Sequence, residues 1–188
     1  MDQTCDLSNQ ISLEEVVEAY YTCRKNKRNT ASAIRFEMNL AANLVELWQD
    51  INRGTYQPGR SIAFVVTNPV CREVFAAQFR DRIVHHLIIN KLEEQMESYF
   101  IDDSYSCRPG KGTFYGQKRV QEMIRECSDN YTCDCWVMKI DIQSFFMSIN
   151  KQLLFECLER FVKSHYHGKD IQMLLWLIRV TVFHRPEL

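Results

Sequence analysis

The order of apolar and polar positions along this chain predicts mostly helix. Apolar residues recur every three or four positions over about 13–25, 31–53, 80–98 and 113–127, again after Asn150, and over about 171–183. Ser12 and Glu15 have capping-box spacing, Gly54 should end the second helix, and Asn150 and Asp170 should cap the last two. The second helix should bury one stripe: Ile34, Met38, Ala41, Leu44, Trp48 and Ile51.

Shorter alternating segments predict strands. A β-hairpin is predicted from Ile62, Phe64 and Val66, a turn at Thr67–Pro69, and then Val74 and Ala76. A third strand is predicted from Trp136 to Ile140, with Asp141 at its end. Helices thus surround one hairpin and one later strand, with no repeat and no evident linker. This order of elements predicts an α+β fold.

Length and composition indicate an ordered globular chain. Its 188 residues fit one domain or one and a half and are enough to bury a real core, and 46% apolar with 25% charged residues is ordinary for such proteins. No signal peptide and no apolar run of about 18 residues is visible, so we expect a cytoplasmic protein with reduced thiols and no membrane partner. The close pair Cys133 and Cys135 lacks a second pair at zinc spacing and is weak evidence for a metal.

The charge is distributed unevenly although the net charge is only −1. Basic residues outnumber acidic ones five to two over residues 60–91, and residues 104–120 hold four basic residues and no acid. Such stripes can follow a phosphate backbone, although a run of charge is more often a solvated face. The distribution therefore permits nucleic-acid binding without requiring it.

The most informative stretch runs from Lys139 to Phe146. Asp141 follows the predicted strand, and Phe145 and Phe146 come four and five residues later. A carboxylate there suits Mg²⁺, which also takes substrate phosphates as ligands, and a bulky ring could press against a nucleotide sugar. The pattern is that of half a two-metal nucleotidyl-transfer site. A solvated aspartate followed by core phenylalanines fits the same residues.

Two further segments carry candidate binding groups. The loop Ser104–Thr113 holds two glycines and two cations before a helix, an arrangement that favours phosphate, but it lacks the spacing of a Walker loop. Arg80 and Arg82 begin the long helix, where surface ion pairs are the simpler explanation. His85 and His86 point about 100° apart on a helix and cannot chelate one ion.

Three blocks in order resemble bacterial reverse transcriptases of the group II intron, retron and diversity-generating retroelement type. The first two, which resemble the finger blocks, read F-R-D-R-I-V-H-H and F-I-D-D-S-Y-S-C-R-P-G-K-G-T, and the third, which resembles the first palm block, reads V-M-K-I-D-I-Q-S-F-F-M-S-I-N. The wording is closest to diversity-generating retroelements, and the resemblance covers about residues 56–163.

The resemblance implies the fingers and partial palm of a right-hand polymerase. Residues 1–55 would be an N-terminal helical extension, 56–130 the fingers, and 131–188 the first part of the palm. The implied activity is RNA-directed DNA synthesis from an RNA template, a DNA primer and deoxynucleoside triphosphates, with two Mg²⁺ ions in the complete enzyme. The location would be the bacterial cytoplasm, and an accessory protein, if there is one, is unspecified.

The resemblance also assigns roles to individual residues. Asp141 would be the catalytic carboxylate and a metal ligand, with the backbone of Ile142 beside it. Arg72 would clamp the triphosphate, and Phe146 would lie under the sugar and exclude a 2′-hydroxyl while Phe145 faces the core. The residues that would hold the template are Arg80, Arg82, Arg108, Gly110 and Lys111.

Two departures from the family pattern limit the expected activity. The family often has a lysine before the hairpin arginine, where this chain has Asn68–Cys71. The second catalytic block, an aromatic-x-D-D turn, is absent, and Asp102–Asp103 cannot replace it. We therefore expect this chain to be only a portion of such an enzyme and to have no polymerase activity by itself. The alternatives are a nucleic-acid-binding remnant of a retroelement without catalysis, and a helical interaction protein with no nucleic-acid role.

Overall fold

The structure is a computed structural model, and it describes residues 10–25, 30–68 and 71–185. They form two compact units, Met1–Glu93 with Asn150–Leu188, and Glu94–Ile149. The elements are α1 Leu13–Arg24, α2 Ala31–Glu37, α3 Leu40–Asn52, β1 Ile62–Val66, β2 Arg72–Ala76, α4 Phe79–Tyr99, α5 Thr113–Cys127, α6 Phe145–Ser148, α7 Lys151–His165 and α8 Ile171–Phe183. Helix dominates beside one small sheet, which agrees with the predicted α+β class. The finger and palm assignments stay predictions, and the two units do not coincide with the three expected segments.

The first helix forms where the capping box predicts it. The Ser12 hydroxyl accepts a hydrogen bond from the Glu15 amide at 3.2 Å, and the Ser12 amide donates to the Glu15 carboxylate at 2.8 Å. The helix buries Val16, Ala19 and other residues of one face. Two otherwise unpaired amides at the helix start are thus satisfied.

The single helix predicted over 31–53 is wrong. Asn39 has φ −136° and ψ 48°, outside the helical region, and divides the segment into α2 and α3. The side chain of Asn43 donates to the carbonyl of Phe36 at 2.7 Å across the break. The predicted stripe is only partly correct. Leu44 and Ile51 are buried, but Ile34, Met38 and Ala41 are exposed, because α2 turns Ala33 and Phe36 inward instead.

The predicted hairpin is confirmed. β1 and β2 pair antiparallel, with Phe64 opposite Val74 and Val66 opposite Arg72. Pro69 of the predicted turn lies outside the described residues. Both faces of the hairpin are largely exposed, so within the described residues it is held chiefly through its strand pairing.

Helix α4 is the long central helix that the sequence predicts. Its buried residues Ile83, Leu87 and Leu92 are at most 1% exposed. Its first turn holds a buried carboxylate, Asp81, which accepts hydrogen bonds from the Tyr56 hydroxyl at 2.8 Å and the Gly59 amide at 3.1 Å. Burial, followed by the charge and hydrogen bond of Asp81, raises the pKa of Tyr56. This contact ties the segment before the hairpin to the start of α4.

A charged cluster joins three helices of the first unit. The Lys91 ammonium on α4 contacts the Glu15 carboxylate on α1 and lies 2.8 Å from a carboxylate oxygen of Asp170 at the start of α8. The hydroxyl of Tyr166 donates to the same carboxylate at 2.8 Å. Asp170 therefore occupies the predicted cap position, but its side chain makes no capping hydrogen bond because Lys91 and Tyr166 hold it. Asn150 does cap α7 as predicted.

In the second unit, the strand predicted from Trp136 to Ile140 does not form. This segment has no strand pairing with any described residue, and Trp136 and Met138 are 92% and 81% exposed. A strand exists only through hydrogen bonds to a neighbouring strand, and the periodicity of one segment cannot reveal whether a neighbour is present. The part of the chain that the structure describes contains no helix able to cross a membrane and no disulfide.

Candidate functional site

Asp141 presents an exposed carboxylate on the second unit. One carboxylate oxygen accepts a hydrogen bond from the amide of Ile142 at 2.9 Å. The other oxygen has no hydrogen-bond donor among the described residues. The carboxylate is thereby oriented by its own backbone and remains accessible to a cation or a substrate.

The donor set around Asp141 fits Mg²⁺ only in part. Mg²⁺ in nucleotide-processing sites is commonly bound by one or two carboxylates together with substrate phosphates and water, and Asp141 supplies one such ligand. Over residues 10–25, 30–68 and 71–185, no group of three or more His, Cys, Asp or Glu side chains is arranged to hold a metal ion. The described residues therefore provide one ligand and do not complete a two-metal centre.

The two phenylalanines after Asp141 lie on the short helix α6. Ser144, at φ 50°, turns the chain into this helix through a left-handed conformation. The rings of Phe145 and Phe146 meet edge to face with centroids 5.2 Å apart, and they are 48% and 86% exposed. The expectation that Phe145 faces the core is wrong for the described residues, because no element covers a helix of one turn. Phe146 is open to a ligand, as a sugar contact would require.

Arg108 organises the loop that precedes α5. Its Nε lies 2.9 Å from a carboxylate oxygen of Glu97, and its Nη1 donates to the carbonyls of Ile101 at 2.7 Å and Ser104 at 3.1 Å. The guanidinium also lies over the ring of Phe100, 5.5 Å from its centroid, and the side chain is 7% exposed. Its predicted template contact stays a prediction. The motif gave no sign that Glu97, eleven residues earlier, would be its partner.

The rest of this loop presents its backbone. Gly110 and Gly112 have φ 68° and 147°, which are conformations that glycine adopts without a steric penalty. The amide of Lys111 donates to the carbonyl of Arg108 at 3.2 Å, and its ammonium donates to the carbonyl of Asp102 while lying 5.8 Å from the centroid of Tyr115. Gly110 is exposed and Lys111 half-buried, so both could be reached by a strand that lies along the loop.

The three arginines predicted for the first unit differ in their surroundings. Arg72 is exposed at the first position of β2 and makes no ion pair with a described residue. Arg80 binds Asp50, with the two charged atoms 2.5 Å apart, and lies over the ring of Tyr56. Arg82 donates from Nε to the carbonyl of Ala77 at 2.8 Å. Arg72 is thus the least engaged of the three.

Both histidines of the long helix fall outside any metal group of the described residues. Burial lowers the pKa of His85, the nearby Asp81 carboxylate raises it, and the positive neighbours, led by His86 and Arg82, lower it further; the net direction is downward. His85 is therefore a neutral packing residue near pH 7.

Comparison with known proteins finds distant relatives. No family model matches the chain. It is similar to the protein YkfC of Escherichia coli K12, at 28% identity over 126 residues, which is 66% of this chain and 32% of that protein. It is also similar to the mitochondrial nuclear intron maturase 1 of Arabidopsis thaliana, at 28% identity over 85 residues, which is 45% of this chain and 11% of that protein. These matches, each covering a third or less of the relative, support a distant reverse-transcriptase-like relationship without indicating a type of retroelement.

Proposed function

We propose that this chain is the template- and nucleotide-binding portion of an RNA-directed DNA polymerase of the retroelement type. The observation that carries the proposal is the exposed Asp141 carboxylate, which has one oxygen without a donor among the described residues and is followed by the exposed ring of Phe146. The three ordered sequence blocks and the distant similarity to an intron maturase support it.

The proposed reaction is attack of a primer 3′-hydroxyl on the α-phosphate of a deoxynucleoside triphosphate, with pyrophosphate leaving. Mg²⁺, when bound, would supply charge neutralisation at the phosphates. Asp141 and the backbone of Ile142 would face the metal-bound triphosphate. The planar, permanently charged guanidinium of Arg72 suits a triphosphate clamp. Phe146 would contact the sugar.

Template binding is proposed for five residues on two surfaces. On the loop before α5, Gly110 exposes its backbone and Lys111 supplies a positive charge. Arg108 holds the conformation of that loop through its hydrogen bonds. Arg80 and Arg82 would add positive charge at the start of α4. The Arg80–Asp50 pair neutralises part of this charge, so Lys111 is the residue whose removal is most informative.

Two measurements on the purified chain test the proposal. Fluorescence anisotropy with a labelled RNA oligonucleotide should detect binding that weakens steeply between about 50 and 200 mM salt, as counterion release requires. Lys111→Ala should weaken binding and reduce the salt slope by about one. Lys163→Ala removes an exposed charge that pairs with Glu159 on α7 and should leave binding unchanged.

Primer extension on a poly(rA)/oligo(dT) substrate should detect no synthesis, because the described residues supply one carboxylate of a metal centre that needs more. Robust synthesis that Asp141→Asn abolishes would contradict this expectation. Binding without synthesis also fits the second candidate, a non-catalytic retroelement remnant, for which the incomplete carboxylate set is the specific observation. Mg²⁺-dependent binding of a deoxynucleotide that Asp141→Asn weakens separates the two, since a remnant needs no such dependence.

A further inference from the structure

A large open cleft lies within the first unit. Its volume is about 870 Å³, and its walls come from the segment before β1, the first turn of α7 and the C-terminal half of α8. The residues that matter for its chemistry are Arg60, Gln152, Trp176, Arg179, His184 and Arg185. None of the residues predicted to bind template or nucleotide lines it.

The cleft concentrates positive charge without a compensating acid. Three arginines line it, and no acidic side chain is present among its described lining residues. Arg60 and Arg185 are exposed and form no ion pair within the described part of the chain. By contrast, Arg24, Arg80 and Arg108 elsewhere each pair with a carboxylate. The charge of this cleft is therefore available to an anion.

Aromatic surface accompanies this charge. Trp176 lines the cleft and is partly exposed. Arg179 stacks on the ring of Phe155, with its guanidinium carbon 5.8 Å from the ring centroid, which restrains the side chain beside the cleft. Guanidinium groups match phosphate geometry and indole rings stack on bases, so the combination suits a ligand that carries both.

A smaller pocket, lined mainly by apolar surface but also by Asp81 and Lys151, adjoins the cleft. It has a volume of about 260 Å³ and shares Pro58 and His184 with the cleft. The hydroxyl oxygen of Thr181, a lining residue, is buried and has no hydrogen-bond partner among the described residues. Buried polar groups are nearly always paired in folded proteins, so this hydroxyl favours a polar ligand group in the pocket beside the cleft.

We infer that this cleft binds a single strand of nucleic acid, with phosphates on Arg60, Arg179 and Arg185 and a base stacked on Trp176. The inference rests on the proposed function, to which it adds a further contact surface beyond the loop before α5 and the start of α4. A strand is favoured over a free nucleotide because the three arginines belong to separate segments around an open cleft of about 870 Å³: Arg60 precedes β1, Arg179 lies on α8 and Arg185 follows α8.

Binding of a fluorescein-labelled RNA 12-mer to the whole chain, followed by anisotropy, tests the inference. The double variant Arg60→Ala/Arg179→Ala should weaken binding about tenfold or more at low salt and lower the salt slope by about two. Trp176→Ala should weaken binding about fivefold or more, and Trp176→Phe should restore much of it because a ring remains. The matched controls, Arg53→Ala and Arg160→Ala, remove exposed arginines outside the cleft and should change nothing.

The outcomes separate the inference from the proposed function. The cleft variants must first match the parent in circular dichroism and urea midpoint. If they then bind RNA as tightly as the parent while Lys111→Ala binds more weakly, the inference about the cleft is wrong and the proposed function stands. Absence of salt-dependent RNA binding in the parent chain overturns both. Competition by free deoxyadenosine triphosphate or inorganic phosphate at the concentrations at which RNA binds overturns the assignment of a strand. If neither competitor displaces RNA and the cleft variants bind RNA more weakly, the assignment of a single strand is supported.

Discussion

Arg108 is held by the Glu97 carboxylate and by backbone carbonyls of its own unit, whereas Arg72 is exposed at the start of β2. An arginine side chain thus stabilises a loop at position 108 and is available to a substrate at position 72. A guanidinium offers five donors in a rigid plane, and the loop uses several of them on Arg108. A lysine at 108 would keep the charge and lose this multiple bonding.

Phe146 is the residue whose proposed role is easiest to isolate. In a reverse transcriptase complete enough to polymerise, Phe146→Val should raise incorporation of ribonucleotides, because a smaller side chain leaves room for the 2′-hydroxyl. The measurement is single-nucleotide primer extension with matched ribo- and deoxynucleotides. Its surroundings predict little structural cost in this chain, since the ring is 86% exposed.

Phe145→Val is the matched control for that experiment. It removes the same ring one position earlier, and sugar discrimination should be unaffected. Because Phe145 is 48% exposed in the described structure, its replacement should cost less stability than the loss of a core ring. If Phe145→Val incorporates more ribonucleotides and Phe146→Val does not, then Phe145 rather than Phe146 is the residue that contacts the sugar.

Among the secondary-structure elements, the helices that begin at a capping residue were the most predictable. Ser12 with Glu15, and Asn150, place helix starts through hydrogen bonds that form within three residues, so the sequence contains all that is needed. The division of the 31–53 segment was not predictable in the same way. It depends on Asn43 reaching a carbonyl across the break and on Phe36 meeting the ring of Phe79, whose centroid is 5.7 Å away.

The predicted strand before Asp141 failed for a related reason. Its apolar composition is favourable for a strand, but pairing is a property of two segments. The positions of Asp141 and Phe146 along the chain could be read from the sequence, whereas their exposure could not. The basic cleft was also beyond prediction, because Arg60 and Arg179 come together only when the segment before β1 packs near α8.

Lys91 is expected to be the most costly charged residue to replace in the first unit. Its side chain is 8% exposed and that of its partner Asp170 is 12% exposed. Lys91→Met should lower the free energy of unfolding by about 3–5 kcal/mol, because a buried carboxylate is left without its cation. Urea unfolding followed by circular dichroism measures this loss. The loss should shrink as the pH falls, because the buried Asp170 carboxylate that lacks its cation can then take up a proton.

Lys163→Met is the control for this replacement. Lys163 pairs with Glu159 on the surface of α7, where its side chain is 57% exposed. An exposed pair of this kind contributes less than about 1 kcal/mol. Equal losses in the two variants would indicate that burial of the Lys91 cluster does not govern its contribution to stability.

The stability of the whole folded chain should vary with pH through buried and half-buried groups that include His85, Asp170 and Lys91. The pKa of His85 is lowered, chiefly by burial. That of Asp170 is lowered because hydrogen bonds from Lys91 and Tyr166 and the Lys91 charge outweigh the opposing effect of burial, and that of Lys91 is raised because its carboxylate partners likewise outweigh burial.

The direction of each pKa shift determines whether stability falls as the pH is lowered or as it is raised. A lowered pKa means that the unfolded chain takes up the proton first, so stability falls as pH drops below about 6.5 for His85 and below about 4 for Asp170. A raised lysine pKa means that stability falls as pH rises above about 10.4. Urea midpoints measured from pH 3 to 11 should therefore be highest between about pH 7 and 10. His85→Gln should remove the step near pH 6, and persistence of that step would assign it to another group.

The charged cluster at Lys91 also bears on the order in which the molecule can be assembled. The first unit is discontinuous, since residues 94–149 separate its two stretches of chain. A ribosome works from the N-terminus and releases α1 and α4 long before α8. Until Asp170 emerges, the Lys91 ammonium has only the Glu15 carboxylate as a partner, so the charged cluster of the first unit is incomplete. The second unit is synthesised entirely within that interval. During this time the N-terminal part of the first unit has to keep its apolar residues from aggregating without the helices that complete it.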